Sequence, residues 1–163
     1  MKTLLLMRHA KSSWAETGQS DHERPLNERG EKAAKRMGRL LIEQNLRPDA
    51  ILHSTAVRAR DTASRVAKAG ALTATLDARR ELYLAAPDVY VAVLHTLPSP
   101  SGCALVVGHN PGLEELVARL AGQHESMPTA ALAELRLDIS EWPELSLGTE
   151  VEAVRMFRPK ELD

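Results

Sequence analysis

Short apolar runs alternate along this chain with longer segments of helical period, and few architectures accommodate that rhythm. Residues 4–7 are uninterrupted apolar, as expected of a strand buried on both faces. Residues 28–45 carry Ala33, Ala34, Met37, Leu40 and Leu41 on one face of a helix, with Asn27 placed to cap it. A second strand is predicted over 50–53, a helix over 56–69 ended by Gly70, and a weaker third strand over 73–77. A helix opened by Pro87 follows over 88–97, then a strand over 103–107 and a helix over 111–121 stopped by Gly122. Two alternating segments, 132–139 and 151–157, read as closing strands. Strand, helix, strand, helix implies a three-layer α/β fold with a mostly parallel central sheet and helices on both faces.

Right-handed crossovers place the strand-to-helix turns along one edge of such a sheet, where ligands bind. The residues after each strand therefore matter most. After the first come Arg8-His9-Ala10-Lys11-Ser12, and after the second Ser54-Thr55-Ala56-Val57-Arg58. Glu81 follows the third, and Gly108-His109-Asn110-Pro111-Gly112 follows the fourth. Arginine forks at positions 8 and 58 suit phosphate oxygens. Ser54 and Asn110 are placed to cap helices whose free N–H groups would face an anion. A neutral imidazole is a competent nucleophile toward phosphorus, and a second, protonated one can donate to the transferring group. His9 and His109 are the two candidate imidazoles, and Arg8 and Arg58 the candidate phosphate-binding forks. Glu81 is the candidate general acid, and Lys11 and Ser12 are candidate substrate contacts. If His9 attacks as the neutral form while His109 is protonated, kcat/KM should follow a bell across the histidine range.

Composition removes other classes. The 163 residues fit one domain spanning 1–163, and 44% hydrophobic with 26% charged is ordinary for a globular chain. A net charge of −1 and 3% aromatics give no footprint for nucleic acid. The longest apolar run, six residues from Val89, is far short of the about 20 a membrane span needs. Arg8 and His9 cut the apolar start too early for a signal core. A single cysteine, Cys103, fits a reducing compartment and reads as a small buried hydrophobe. Together these predict a cytoplasmic protein without nucleic-acid or membrane partners. His22, His53, His95 and His124 show no metal-ligand spacing, so no metal or cofactor is expected. No glycine precedes a lysine, which removes a P-loop. Trp14 and Trp142 read as packing residues, with a rim role open for Trp14.

The quoted strand-end residues, with Ala59 and Thr62 beside Arg58, resemble the histidine phosphatase superfamily, the phosphoglycerate-mutase-like proteins. Arg8-His9-Ala10-Lys11-Ser12, Arg24-Pro25-Leu26-x-x-Arg29-Gly30 and Gly108-His109-Asn110-Pro111 are closer to its small SixA-type branch. Ala10 stands where the wider superfamily has glycine, and that branch often has alanine. The resemblance implies a metal-independent phosphatase working through a phosphohistidine on His9, acting on phosphohistidine of a partner protein. Short connections over 78–86 and 123–129 leave no room for a lid, which predicts an open, shallow site. The alternatives are a phosphatase of small phosphate esters and a non-catalytic phosphate-recognition module.

Overall fold

The computed structural model describes residues 1–15 and 17–162. Six strands form one sheet in the order β3-β2-β4-β1-β5-β6. These are β1 (Lys2–Arg8), β2 (Ala50–Ser54), β3 (Leu76–Arg79), β4 (Cys103–Gly108), β5 (Leu132–Leu137) and β6 (Val151–Phe157). The first four strands run parallel, and β5 joins β1 antiparallel, with β6 antiparallel to β5. The helices are α1 (Glu28–Glu43), α2 (Val57–Ala69), α3 (Pro87–Leu94) and α4 (Gly112–Ala121).

Because successive strand side chains point to opposite faces, each strand feeds two cores. Leu5 and Met7 of β1 join Ile51, Leu105 and Val107 beneath α1 and α2, where Ala34, Met37, Ala59, Ala63 and Val66 are buried. Leu4 and Leu6 join Leu52 and Val106 on the other face, beneath Tyr90 and Leu94 of α3 and Leu113 and Leu116 of α4. The predicted three layers are therefore present. Asn27 caps α1 as expected, its side chain accepting from Gly30 N at 2.8 Å. Gly122 ends α4 in the left-handed conformation, φ 80°, that favours glycine.

The third strand lies later than the 73–77 predicted. Its register pairs Ile51 with Leu76 and Ser54 with Arg79. β2 begins only at Ala50, so in this register Thr73 and Ala74 have no strand residue beside them despite the β-branched Thr73. Helix α3 stops at Leu94 instead of 97, and the Thr96 hydroxyl donates to the Val93 carbonyl at 2.7 Å. Helix α1 ends two residues early, while α2 and α4 begin one residue later than expected. β5 ends at Leu137, where its register with β6 shifts. No helix among the described residues is long and apolar enough to cross a membrane.

Candidate active site

Strand order brings the two histidines together. β1 and β4 are neighbours with Arg8 opposite Gly108, so the residues that follow lie side by side. His9 N donates to the Gly108 carbonyl at 3.0 Å, and Ala130 N donates to the carbonyls of Arg8 and His9 at 3.1 and 3.0 Å. The rings of His9 and His109 stand 5.2 Å apart between centroids. Gly108 is required here, since a Cβ would overlap the Tyr90 hydroxyl. That hydroxyl accepts from His109 N at 3.1 Å and so holds the backbone of the second histidine. Around the rings is a pocket of about 250 Å³ lined by Arg8, Arg24 and Arg58, together with Lys11, Ser12 and Trp14.

Hydrogen bonding selects the His9 tautomer. Its Nδ1 lies 2.8 Å from the Ala10 carbonyl, which can only accept, so Nδ1 carries the proton. Nε2 keeps its lone pair and accepts from Arg58 Nε at 3.3 Å. Burial, reinforced by the Arg58 and Arg8 guanidiniums, pushes the His9 imidazole down to about 4. Burial, then the neighbouring His9 and Arg58, pushes His109 down to about 3. Both values favour neutral rings in the unliganded protein, and the protonated His109 of the sequence reading is one that a bound anion would have to maintain. The three guanidiniums lining the pocket already supply positive charge, and a further cation among them is unfavourable.

Arg58, in the first turn of α2, is 3% exposed and fully oriented. Its NH1 donates to the Asp21 carbonyl at 2.7 Å and its NH2 to Asp21 Oδ2 at 3.0 Å. Asp21 also accepts from Arg24 Nε at 3.1 Å and from the Tyr83 hydroxyl. Tyr83 and then Arg58 hold its carboxyl down to about 2. Ser12 Oγ, 8% exposed, accepts from Arg24 NH1 at 2.8 Å, so it orients an arginine in addition to lining the pocket. Thr62 Oγ1 accepts from Ala10 N at 2.9 Å and donates to the Arg58 carbonyl at 2.7 Å, joining the two site loops. Sequence reasoning missed Asp21 and Tyr83 and left Arg24 without a role. The only signal was Arg24 within the Arg-Pro-Leu motif.

Several expected placements are corrected. Ser54 does not cap α2 from its N-cap position, which Ala56 occupies. Its Oγ instead accepts from Ala56 N at 3.2 Å and lies 2.8 Å from His109 Nε2. Asn110 does not cap α4, and its Nδ2 donates to Glu114 Oε1 and to the Met127 carbonyl. Glu81 is exposed in the single turn Arg80–Leu82 and is not among the residues lining the pocket. β3 is the edge strand, and the residues that its loop brings inward are Tyr83, 5.5 Å from the His109 ring, and Leu84. Lys11 lines the pocket from an exposed position. Trp142 is a buried packing residue, whereas Trp14 lines the pocket and is 75% exposed. Among the described residues no cluster of three or more His, Cys, Asp or Glu could hold a metal ion.

Four buried side-chain polar atoms of the described residues lack a partner: Arg8 Nε, His109 Nδ1, Asn110 Oδ1 and Arg65 Nε. Three of the four belong to pocket residues. Buried polar groups are normally satisfied, and of these three Arg8 Nε is a donor that lacks an acceptor, whereas Asn110 Oδ1 is itself an acceptor.

A model of the histidine phosphatase superfamily (branch 1) matches residues 4–84. An uncharacterized protein of Mycobacterium tuberculosis is 34% identical over 153 residues, covering 87% of this chain and 93% of that protein. A solved structure assigned as the phosphohistidine phosphatase SixA of Agrobacterium tumefaciens is 31% identical, covering 82% of this chain and 90% of its own, with a TM-score of 0.76. The protein histidine phosphatase SixA in complex with tungstate shares the fold, with a TM-score of 0.84 over 99% of each chain at 24% identity.

Proposed function

Because the chain belongs to the histidine phosphatase superfamily, in its SixA-like branch, we propose that it is a phosphohistidine phosphatase acting on a partner protein through its own His9. Phosphatase chemistry comes with that membership. One observation carries the assignment of roles. A buried imidazole with its lone pair on Nε2 faces a pocket in which Arg8 Nε and His109 Nδ1 have no protein acceptor. If the Ser54 hydroxyl donates to His109 Nε2, the proton sits on Nδ1, and a phosphoryl oxygen supplies the acceptor it lacks.

In the first step, His9 Nε2 attacks phosphorus and the P–N bond to the substrate imidazole breaks. The leaving nitrogen takes the electron pair, and a substrate ring already protonated on its other nitrogen departs as neutral imidazole with no proton drawn from the protein. Arg8, Arg58 and His109 hold the equatorial oxygens, with Arg24 and Lys11 adding positive charge. Water then attacks phosphorus, and the P–Nε2 bond breaks with its electron pair returning to His9. Phosphate leaves as dihydrogen phosphate, carrying both hydrogens of the water, and His9 returns to its neutral, Nδ1-protonated form. Glu81 has no part in this scheme as placed. A phosphoramidate needs little help from a general acid, because imidazole is a weak base compared with an alkoxide. Support for a protein substrate comes from the connections over 80–86 and 122–131, which carry nothing longer than a single turn to cover the site.

The test is trapping. Wild type quenched during turnover should carry an acid-labile, base-stable phosphoryl group on His9. His9→Ala should lose turnover while still binding inorganic phosphate. A fully active His9→Ala defeats the mechanism.

A further inference from the structure

Among the described residues the exposed large apolar side chains are Met1, Trp14, Ile42 and Leu84. Two of these four, Trp14 and Leu84, line one pocket, the one that His9 also lines. Trp14 is not held there by a hydrophobic core. The Arg24 guanidinium carbon lies 3.4 Å from its ring centroid, so one face of the indole is covered by a cation. Arg24 is in turn fixed by Ser12 Oγ and Asp21 Oδ1. With the side chain 75% exposed, the other indole face is open. The result is a flat aromatic platform with a rigid support.

Leu84 is presented by its backbone. Tyr83 is anchored inward on Asp21, and Leu84 follows in the left-handed region at φ 51°. For a leucine that conformation is unfavourable and is found where surrounding structure imposes it. It leaves the isobutyl group 55% exposed on the lining of the pocket.

We propose that Trp14, seconded by Leu84, is the specificity-determining residue for the leaving group: it receives a flat unsaturated ring bonded to the phosphoryl group. The arginines and histidines hold oxygens that every phosphate shares, so they cannot distinguish what the phosphoryl group is attached to. An open indole face can, because rings stack on it and saturated chains do not. The proposal rests on the phosphatase reading of the pocket, and it admits two ring sources, the imidazole of phosphohistidine and the phenyl ring of an aryl phosphate.

Three substrates separate the cases: a phosphohistidine peptide, an aryl phosphate and an alkyl phosphate of similar size. Trp14→Ala should lower kcat/KM on ring substrates by on the order of tenfold more than on the alkyl phosphate, with Trp14→Phe recovering most of the loss. Equal losses on all three overturn the proposal, as does no loss on any. If only the aryl phosphate is turned over and shows the Trp14 dependence, ring selectivity stands and the phosphohistidine reading falls. If phosphohistidine is turned over without Trp14 dependence, that reading stands and the platform falls. Binding provides a readout independent of turnover, because Trp142 is buried and Trp14 is the exposed fluorophore. Phenylphosphonate should change the Trp14 emission and methylphosphonate should change it far less. Matching responses to the two phosphonates overturn the proposal.

Discussion

The Ala10 carbonyl accepts from His9 Nδ1, and burial then keeps the imidazole neutral down to about pH 4. In that state Nε2 offers its lone pair throughout the physiological range. Corrected for ionisation of the substrate, kcat/KM should therefore be flat from pH 5 to neutrality and fall only as the pH drops through about 4, where His9 takes up a proton. A pH–rate profile checks this, and an acid limb centred near the ordinary histidine value contradicts it. Asp21 sets the other residue-scale dependence. It accepts from Arg58, Arg24 and Tyr83 at once, so Asp21→Asn removes the charge that aligns two guanidiniums. Loss of such charge-assisted bonds at a half-exposed carboxylate should weaken vanadate inhibition and lower kcat/KM on the order of tenfold. The roles proposed for His9, Arg8, Arg58 and His109 were readable because each lies at the carboxyl end of a strand or in the first turn of the helix that follows it. Asp21 was not, because two of its three partners lie 37 and 62 positions away and only packing supplies those.

At the scale of elements, the site depends on close backbone approaches. α1 enters against the first site loop, where a Cβ on Gly30 would overlap the Lys11 backbone. Gly30→Ala should cost about 1–3 kcal/mol through this overpacking. It should appear as a lower urea midpoint with an unchanged m-value, together with reduced activity as the Lys11 loop shifts. Helix α3 reaches the site through one hydroxyl. Tyr90→Phe leaves the buried His109 N–H without its acceptor, a loss of about 1–3 kcal/mol that the same titration measures. Neither contact is visible in helical period or strand alternation, which report only which face of an element is apolar. The period located α1 and α3 within a few residues, and their depth of approach came from the small residues at the crossing.

For the whole molecule, the neutral buried histidines govern acid stability. Both have folded values below the ordinary 6.5, so between 6.5 and about 4 the unfolded chain binds more protons than the folded one. Stability is then full above 6.5 and is lost as the pH falls, by up to about 1.4 kcal/mol per pH unit for each ring. Thermal melts from pH 7 to 4 should show this decline, and His9→Ala should flatten it. A decline no steeper in wild type would mean that the rings are not buried neutral. Only below about 4 does protonation of Asp21, held near 2, add a further loss. What the sequence alone determined was the alternation of strands and helices and the residues at the strand ends. Those follow from side-chain period and from turn chemistry within a few positions. The strand order was decided in three dimensions, and it put β3 at the sheet edge, with Glu81 exposed and Tyr83 and Leu84 turned toward the pocket. Burial, and with it the neutrality of His9 and His109, is likewise a property of the assembled layers. Desolvation depends on everything packed around a group, and no local stretch of sequence encodes that.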